Sequence, residues 1–113
     1  MGLILIYGTD FHLLESRHWL LEAQGYRVLT ARSLAEFPPS SVSVALLLVC
    51  HTVPLADRDR AFEILSHRWP TAHKLSLVSI GSACRPAEEC FNTMEGPGRL
   101  IQRVDQLITA RPN

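Results

Sequence analysis

The residues with the most chemical promise stand together at the end of one apolar run. Val44-Ala45-Leu46-Leu47-Leu48-Val49 closes into Cys50-His51-Thr52-Val53-Pro54. An uninterrupted apolar run of this length, ended by a proline, reads as a strand buried on both faces. Chemistry in an open α/β sheet collects just beyond the carboxyl ends of such strands. Cys50 is therefore the first candidate, as a redox-sensing or modifiable thiol. Its activation would need cations or a helix N-terminus to lower its pKa. His51 is next in sequence, but neighbours on a strand point to opposite faces. The expectation is a buried, inert thiol.

Other chemistry-bearing residues are dispersed. Cys84 and Cys90, in CRPAEEC, could form a disulfide or supply two metal ligands, but the spacing matches no common zinc site and no paired histidines follow, so free thiols are favoured. His12, His18, His51, His67 and His73 form no cluster. His18 is placed on the inner face of the first helix and His67 near a helix C-terminus. Asp10 is read as a helix cap in preference to a lone cation ligand, and Ser79 as a strand-end residue. Gly96-Pro97-Gly98 lacks the spaced glycines and lysine of a phosphate loop and marks a turn before a helix. No metal site and no cofactor is expected from these residues.

The elements that would position them alternate. Gly2 to Tyr7 is a first buried strand. A helix capped by Thr9 or Asp10 follows, with Phe11, Leu14, His18 and Leu21 as its inward stripe and Glu15, Arg17 and Glu22 opposite. Gly25 ends it. Tyr26 to Ala31 reads as an edge strand, and Leu34 to Phe37 as one short helical turn stopped by Pro38-Pro39. After the central strand, Asp57 opens a helix over Arg58 to Arg68, with Phe62, Leu65 and Trp69 facing inward. Lys74 to Ile80 is a fourth strand. Ala87 to Met94 is a turn of helix, a fifth strand, or one of each. Pro97 starts a last helix whose buried stripe is Leu100, Ile101, Val104, Leu107 and Ile108, ended by Arg111-Pro112. Trp69 belongs at the core edge, whereas Trp19 lies off the main stripe and is expected partly buried; an exposed Trp19 would point to a partner surface.

Strands alternating with helices imply a parallel sheet with right-handed crossovers. The expected fold is a doubly wound, flavodoxin-like three-layer sandwich. With 113 residues and no linker or repeat, the chain reads as a single domain over 1–113. Eleven basic and eleven acidic residues cancel, which gives no support for nucleic acid or an anionic membrane as partner. Three cysteines fit a reducing, cytoplasmic setting. No stretch approaches the ~20 apolar residues needed to cross a bilayer.

The phrases ESRHWLLEAQGYRVLTA, VALLLVCHTVP and RLIQRVDQLI, in this order, resemble the receiver domain of bacterial response regulators across nearly the whole chain. The first is similar to the family's first helix and second strand, the second to its third strand with the "D..MP" ending, the last to its final helix. The resemblance implies the doubly wound fold and two-component signalling by phosphorelay from a histidine kinase to an aspartate at the end of the third strand. Pro54 matches the family's proline and places Cys50 on the acceptor position. The Mg²⁺-holding acidic pair falls on Gly8 and Thr9, with Asp10 the only carboxylate nearby. The hydroxyl residue ending the fourth strand falls on Ser79, or on Ser82 if the register slips. The lysine ending the fifth strand falls near Thr93, and the switch aromatic near Cys90 or Phe91.

Acceptor, metal carboxylates and lysine are thus missing together. Phosphorylating a carboxylate needs a metal on the phosphoryl oxygens and a cation to hold the product, and a thiol is a poor Mg²⁺ ligand. The chain between Ser79 and Thr93 is also short for the family, so its fourth helix is expected to be shortened or absent. The resemblance with these departures implies a pseudo-receiver: no enzyme, but a signalling module acting by contact with a protein partner or with itself, as in a homodimer. The alternatives are thiol redox sensing at Cys50, and small-ligand binding in the room left at Gly8 and Thr9.

Overall fold

The computed structural model describes residues 2–79 and 89–109. Five strands form one sheet in the order β2-β1-β3-β4-β5: β1 (Leu3–Tyr7), β2 (Val28–Ala31), β3 (Val44–Val49), β4 (His73–Val78) and β5 (Cys90–Asn92). Every pairing is parallel. A parallel sheet must be covered on both sides, and its strands read accordingly. β1 is buried at all five positions, and β3 at all but Ala45.

Alternate side chains feed two cores. Ile4, Ile6, Leu46, Leu48, Leu75, Leu77 and Phe91 meet Leu14 and Leu21 of α1 (Phe11–Glu22) and Leu100 and Val104 of α3 (Pro97–Thr109). Leu3, Leu5, Tyr7, Leu47 and Val49 meet Ala61 and Leu65 of α2 (Leu55–Arg68) on the other face. This is the doubly wound three-layer sandwich that the sequence predicts. Three α-helices flank the sheet among the described residues, a count that fits a shortened fourth helix. The stretch that would carry it, 80–88 with Cys84, lies outside those residues, as does Arg111-Pro112.

Element boundaries follow local chemistry. Asp10 caps α1, its Oδ1 accepting from the backbone N–H groups of His12 (3.0 Å) and Leu13 (3.2 Å). Gly25 has φ +93° in the turn after α1, a conformation that favours glycine. Helix α2 begins at Leu55, directly after Pro54, three residues earlier than the Arg58 start expected. Proline leads a helix well, because the missing N–H would have been unsatisfied there anyway. β2 is shorter than predicted, starting at Val28, and the turn expected at Leu34 to Phe37 is a 3₁₀ turn over Leu34–Glu36.

Several side chains differ from the sequence reading. Phe11 and Trp19 are exposed, Trp19 to 67%. His18, by contrast, is half-buried, in keeping with the partial packing expected, and pairs with Glu22 one turn on, Nε2 to Oε2 2.7 Å. Cys90 is held in a disulfide, contrary to the free thiol expected, which removes part of the cysteine argument for a reducing setting. Trp69 is buried as expected, its Nε1 donating to the Val42 carbonyl at 2.5 Å.

Candidate functional site

In the strand order 2-1-3-4-5 the connections change direction between β1 and β3, and the switch point where open α/β sheets place their ligands lies beyond the carboxyl ends of those two strands. The backbone there is tightly joined. Cys50 N–H donates to the Tyr7 carbonyl at 2.8 Å, and Gly8 N–H donates to the Ala31 carbonyl at 3.1 Å. Val53 N–H then turns back on the Cys50 carbonyl at 3.1 Å, which aims Pro54 into the start of α2.

Cys50 is 2% exposed and faces the α1/α3 core, while His51 is exposed, as strand alternation requires. The sulfur fills the space beside β1. A Cβ added at Gly8 would stand 3.0 Å from both Cβ and Sγ of Cys50 and 3.3 Å from Leu14 Cδ2. The room expected at Gly8 is therefore occupied by the thiol itself. Thr9 is also engaged: its N–H donates to Thr52 Oγ1 (3.4 Å) and its Oγ1 to the Thr52 carbonyl (3.3 Å). Its amide is thus already engaged. The Asp10 carboxylate is committed to the cap of α1.

A cation reaches Cys50 from a direction the sequence reading missed. Arg17 Nη1 donates to Cys50 Sγ at 2.8 Å. Arg17 was placed on the outer side of α1, yet Leu14, Arg17 and Leu21 repeat at i, i+3 and i+7 on one helical face. That spacing was the available signal, and His18, one residue on, obscured it. Burial pushes the Cys50 thiol pKa up; Arg17 pulls the other way without overcoming it, and Asp10 adds to the rise. The neutral thiol is the favoured form.

The remaining positions lie along the same edge of the sheet. Val49 pairs with Ser76, so continuing that register sets Cys50 level with Leu77 and Ser79 two residues further on. Ser79 directly follows β4 and is half-buried. Thr93 directly follows β5 and, with Arg17, lines a cavity between α1 and α3. Phe91, one of the two candidate switch positions, is packed in the core against α3, and Cys90 is the disulfide-bonded residue. Thus Gly8, Cys50 and Arg17 form one contact cluster and Thr9 a second with Thr52. Ser82 lies outside the described residues. Among the described residues, no three of His, Cys, Asp and Glu group as metal ligands would.

The sequence matches no family model and no curated protein; the likeness to known proteins is structural. The non-phosphorylated HemR receiver domain from Leptospira biflexa superposes with a TM-score of 0.78 at 20% identity, covering 100% of this chain and 99% of that one. The BeF3-activated DrrB receiver domain gives 0.77 at 15% identity, covering 97% and 99%. A putative pilus assembly-related protein from Burkholderia pseudomallei gives 0.67 at 17% identity, covering 100% and 95%. The fold is that of response regulator receiver domains. Within that fold, the end of β3 holds a buried thiol that accepts a hydrogen bond from Arg17.

Proposed function

We propose that this domain is a phosphorylation-independent pseudo-receiver, a signalling module that acts by contact with a protein partner or a second copy of itself and catalyses no reaction of its own. One observation carries the reading. Cys50 Sγ stands 3.0 Å from where any side chain at Gly8 would begin, so sulfur fills the place where the receiver fold would gather oxygen ligands. Mg²⁺ demands near-octahedral oxygen coordination. The nearest candidates are Thr9, tied to Thr52, and Asp10, used as a helix cap. Arg17 resembles the fold's usual cation in charge, but it is hydrogen-bonded to a thiol that has no phosphoryl group to share.

Receiver domains in general signal through protein contacts, which supports a protein partner here. The balance of charge argues against nucleic acid, and we place the domain in the cytoplasm on this reading. No helix among the described residues is long and apolar enough to cross a membrane. The thiol-sensor alternative asks for a lowered pKa, and burial moves Cys50 the other way.

The test is incubation with acetyl phosphate and Mg²⁺, read by intact mass. The expected result is an unchanged mass. An added phosphoryl group would overturn the proposal.

A further inference from the structure

The cavity between α1 and α3 lies against the Cys50 cluster and has a composition that the pseudo-receiver reading does not use. Its volume is about 280 Å³, and its walls include Leu20 from α1, Leu77 from β4, Phe91 from β5 and Leu100 from α3. Arg17 and Thr93 supply polar atoms, Arg17 carrying the charge. An apolar pocket with a few convergent polar groups is the usual form of a small-molecule site.

Arg17 says what charge the occupant carries. Its guanidinium is part-buried, and Nη1 meets a thiol that burial keeps in its neutral form. Among the described residues no carboxylate pairs with it, and its other N–H groups meet no acceptor there. A partly desolvated cation over an apolar cavity is stabilised by an anion placed in that cavity. The planar fork suits a carboxylate, which can accept two parallel N–H bonds.

We propose that this cavity binds a small amphipathic monoanion, a carboxylate with an apolar body, whose head group pairs with Arg17 and whose body rests on Leu20, Leu77, Phe91 and Leu100. At the roughly 30 Å³ that one water takes in the liquid, the volume holds about nine or ten non-hydrogen atoms. An eight-carbon carboxylate is of that size. The site is distinct from the room at Gly8, which sulfur fills, and it does not depend on whether the domain accepts phosphate.

Octanoate is the probe, with octanol as its neutral counterpart, read by amide chemical shifts in the full chain. The expected result is saturable shifts at Leu20, Leu77, Phe91, Thr93 and Leu100 with a Kd in the millimolar range or tighter. Octanol should bind about tenfold or more weakly, and Arg17→Gln should lower octanoate affinity by a similar factor while Arg17→Lys retains part of it. No saturation by about 20 mM octanoate, equal binding of octanol, or shifts confined to other residues would overturn the proposal. Should Arg17→Gln fail to fold, the octanoate-to-octanol comparison on the unaltered protein decides alone.

Discussion

Arg17 and Cys50 define the chemistry of the pocket more than any expected carboxylate does. A thiol receiving a guanidinium N–H should be drawn toward thiolate, yet Cys50 is almost fully removed from water and desolvation wins. Iodoacetamide should therefore alkylate Cys50 slowly at neutral pH, with a midpoint above the ordinary thiol value. Because Arg17 lowers that value while burial and the Asp10 charge raise it, Arg17→Gln should move the midpoint further up. A midpoint that falls in the variant would show the hydrogen bond to be misassigned. Gly8 makes the complementary prediction. A Cβ there meets Cys50 at 3.0 Å, in a region held by backbone hydrogen bonds on both sides. Gly8→Ala should cost about 1–3 kcal/mol in urea unfolding, the usual range for overpacking a filled core.

At the scale of elements, the two tryptophans separate packing from surface. Trp69 ends α2, is buried in the core and bonds to the Val42 carbonyl; Trp19 projects from α1 into solvent. Trp69→Ala should cost about 3–5 kcal/mol. Trp19→Ala should change stability by no more than about 0.5 kcal/mol. If Trp19 proves as costly as Trp69, the orientation of α1 is wrong. A second link joins the segment before β2 to α3, where the Tyr26 hydroxyl donates to the Asp105 carboxylate. Burial first, then this hydrogen bond and the nearby negative charge, push the Tyr26 pKa up to about 12. The folded chain thus holds the phenolic proton more tightly than the unfolded chain, whose tyrosine titrates near 10. The stabilisation is complete below about pH 10 and is lost as pH rises through about 12. Urea midpoints of the parent and Tyr26→Phe should therefore converge over that window. Midpoints that stay parallel would contradict the link.

The whole molecule was legible in the sequence to the extent that burial dictates pattern. Continuous apolar runs at β1 and β3 can only be strands covered on both sides, and Asp10, Gly25 and Pro97 punctuate the helices as their backbone chemistry requires. The doubly wound order follows from those runs once crossovers are right-handed. Side-chain direction on α1 was less legible. Arg17 and His18 are adjacent, both can face a core edge, and only the three-dimensional position of Cys50 decides between them. Nor could the sequence show that a glycine at position 8 leaves no void, because the sulfur that fills the space comes from a strand end 42 residues away, the separation of positions 8 and 50.

These scales converge on the proposal that the pocket at the ends of β1 and β3, closed around sulfur, does not assemble a phosphoryl–magnesium complex. Beryllofluoride with Mg²⁺, titrated into the protein while amide shifts of Gly8, Thr9, Cys50 and Ser79 are followed, tests it most directly. The account predicts that none of these resonances moves beyond the shift caused by salt alone. Saturable movement of Cys50 and its neighbours, dependent on both Mg²⁺ and beryllofluoride, would contradict it.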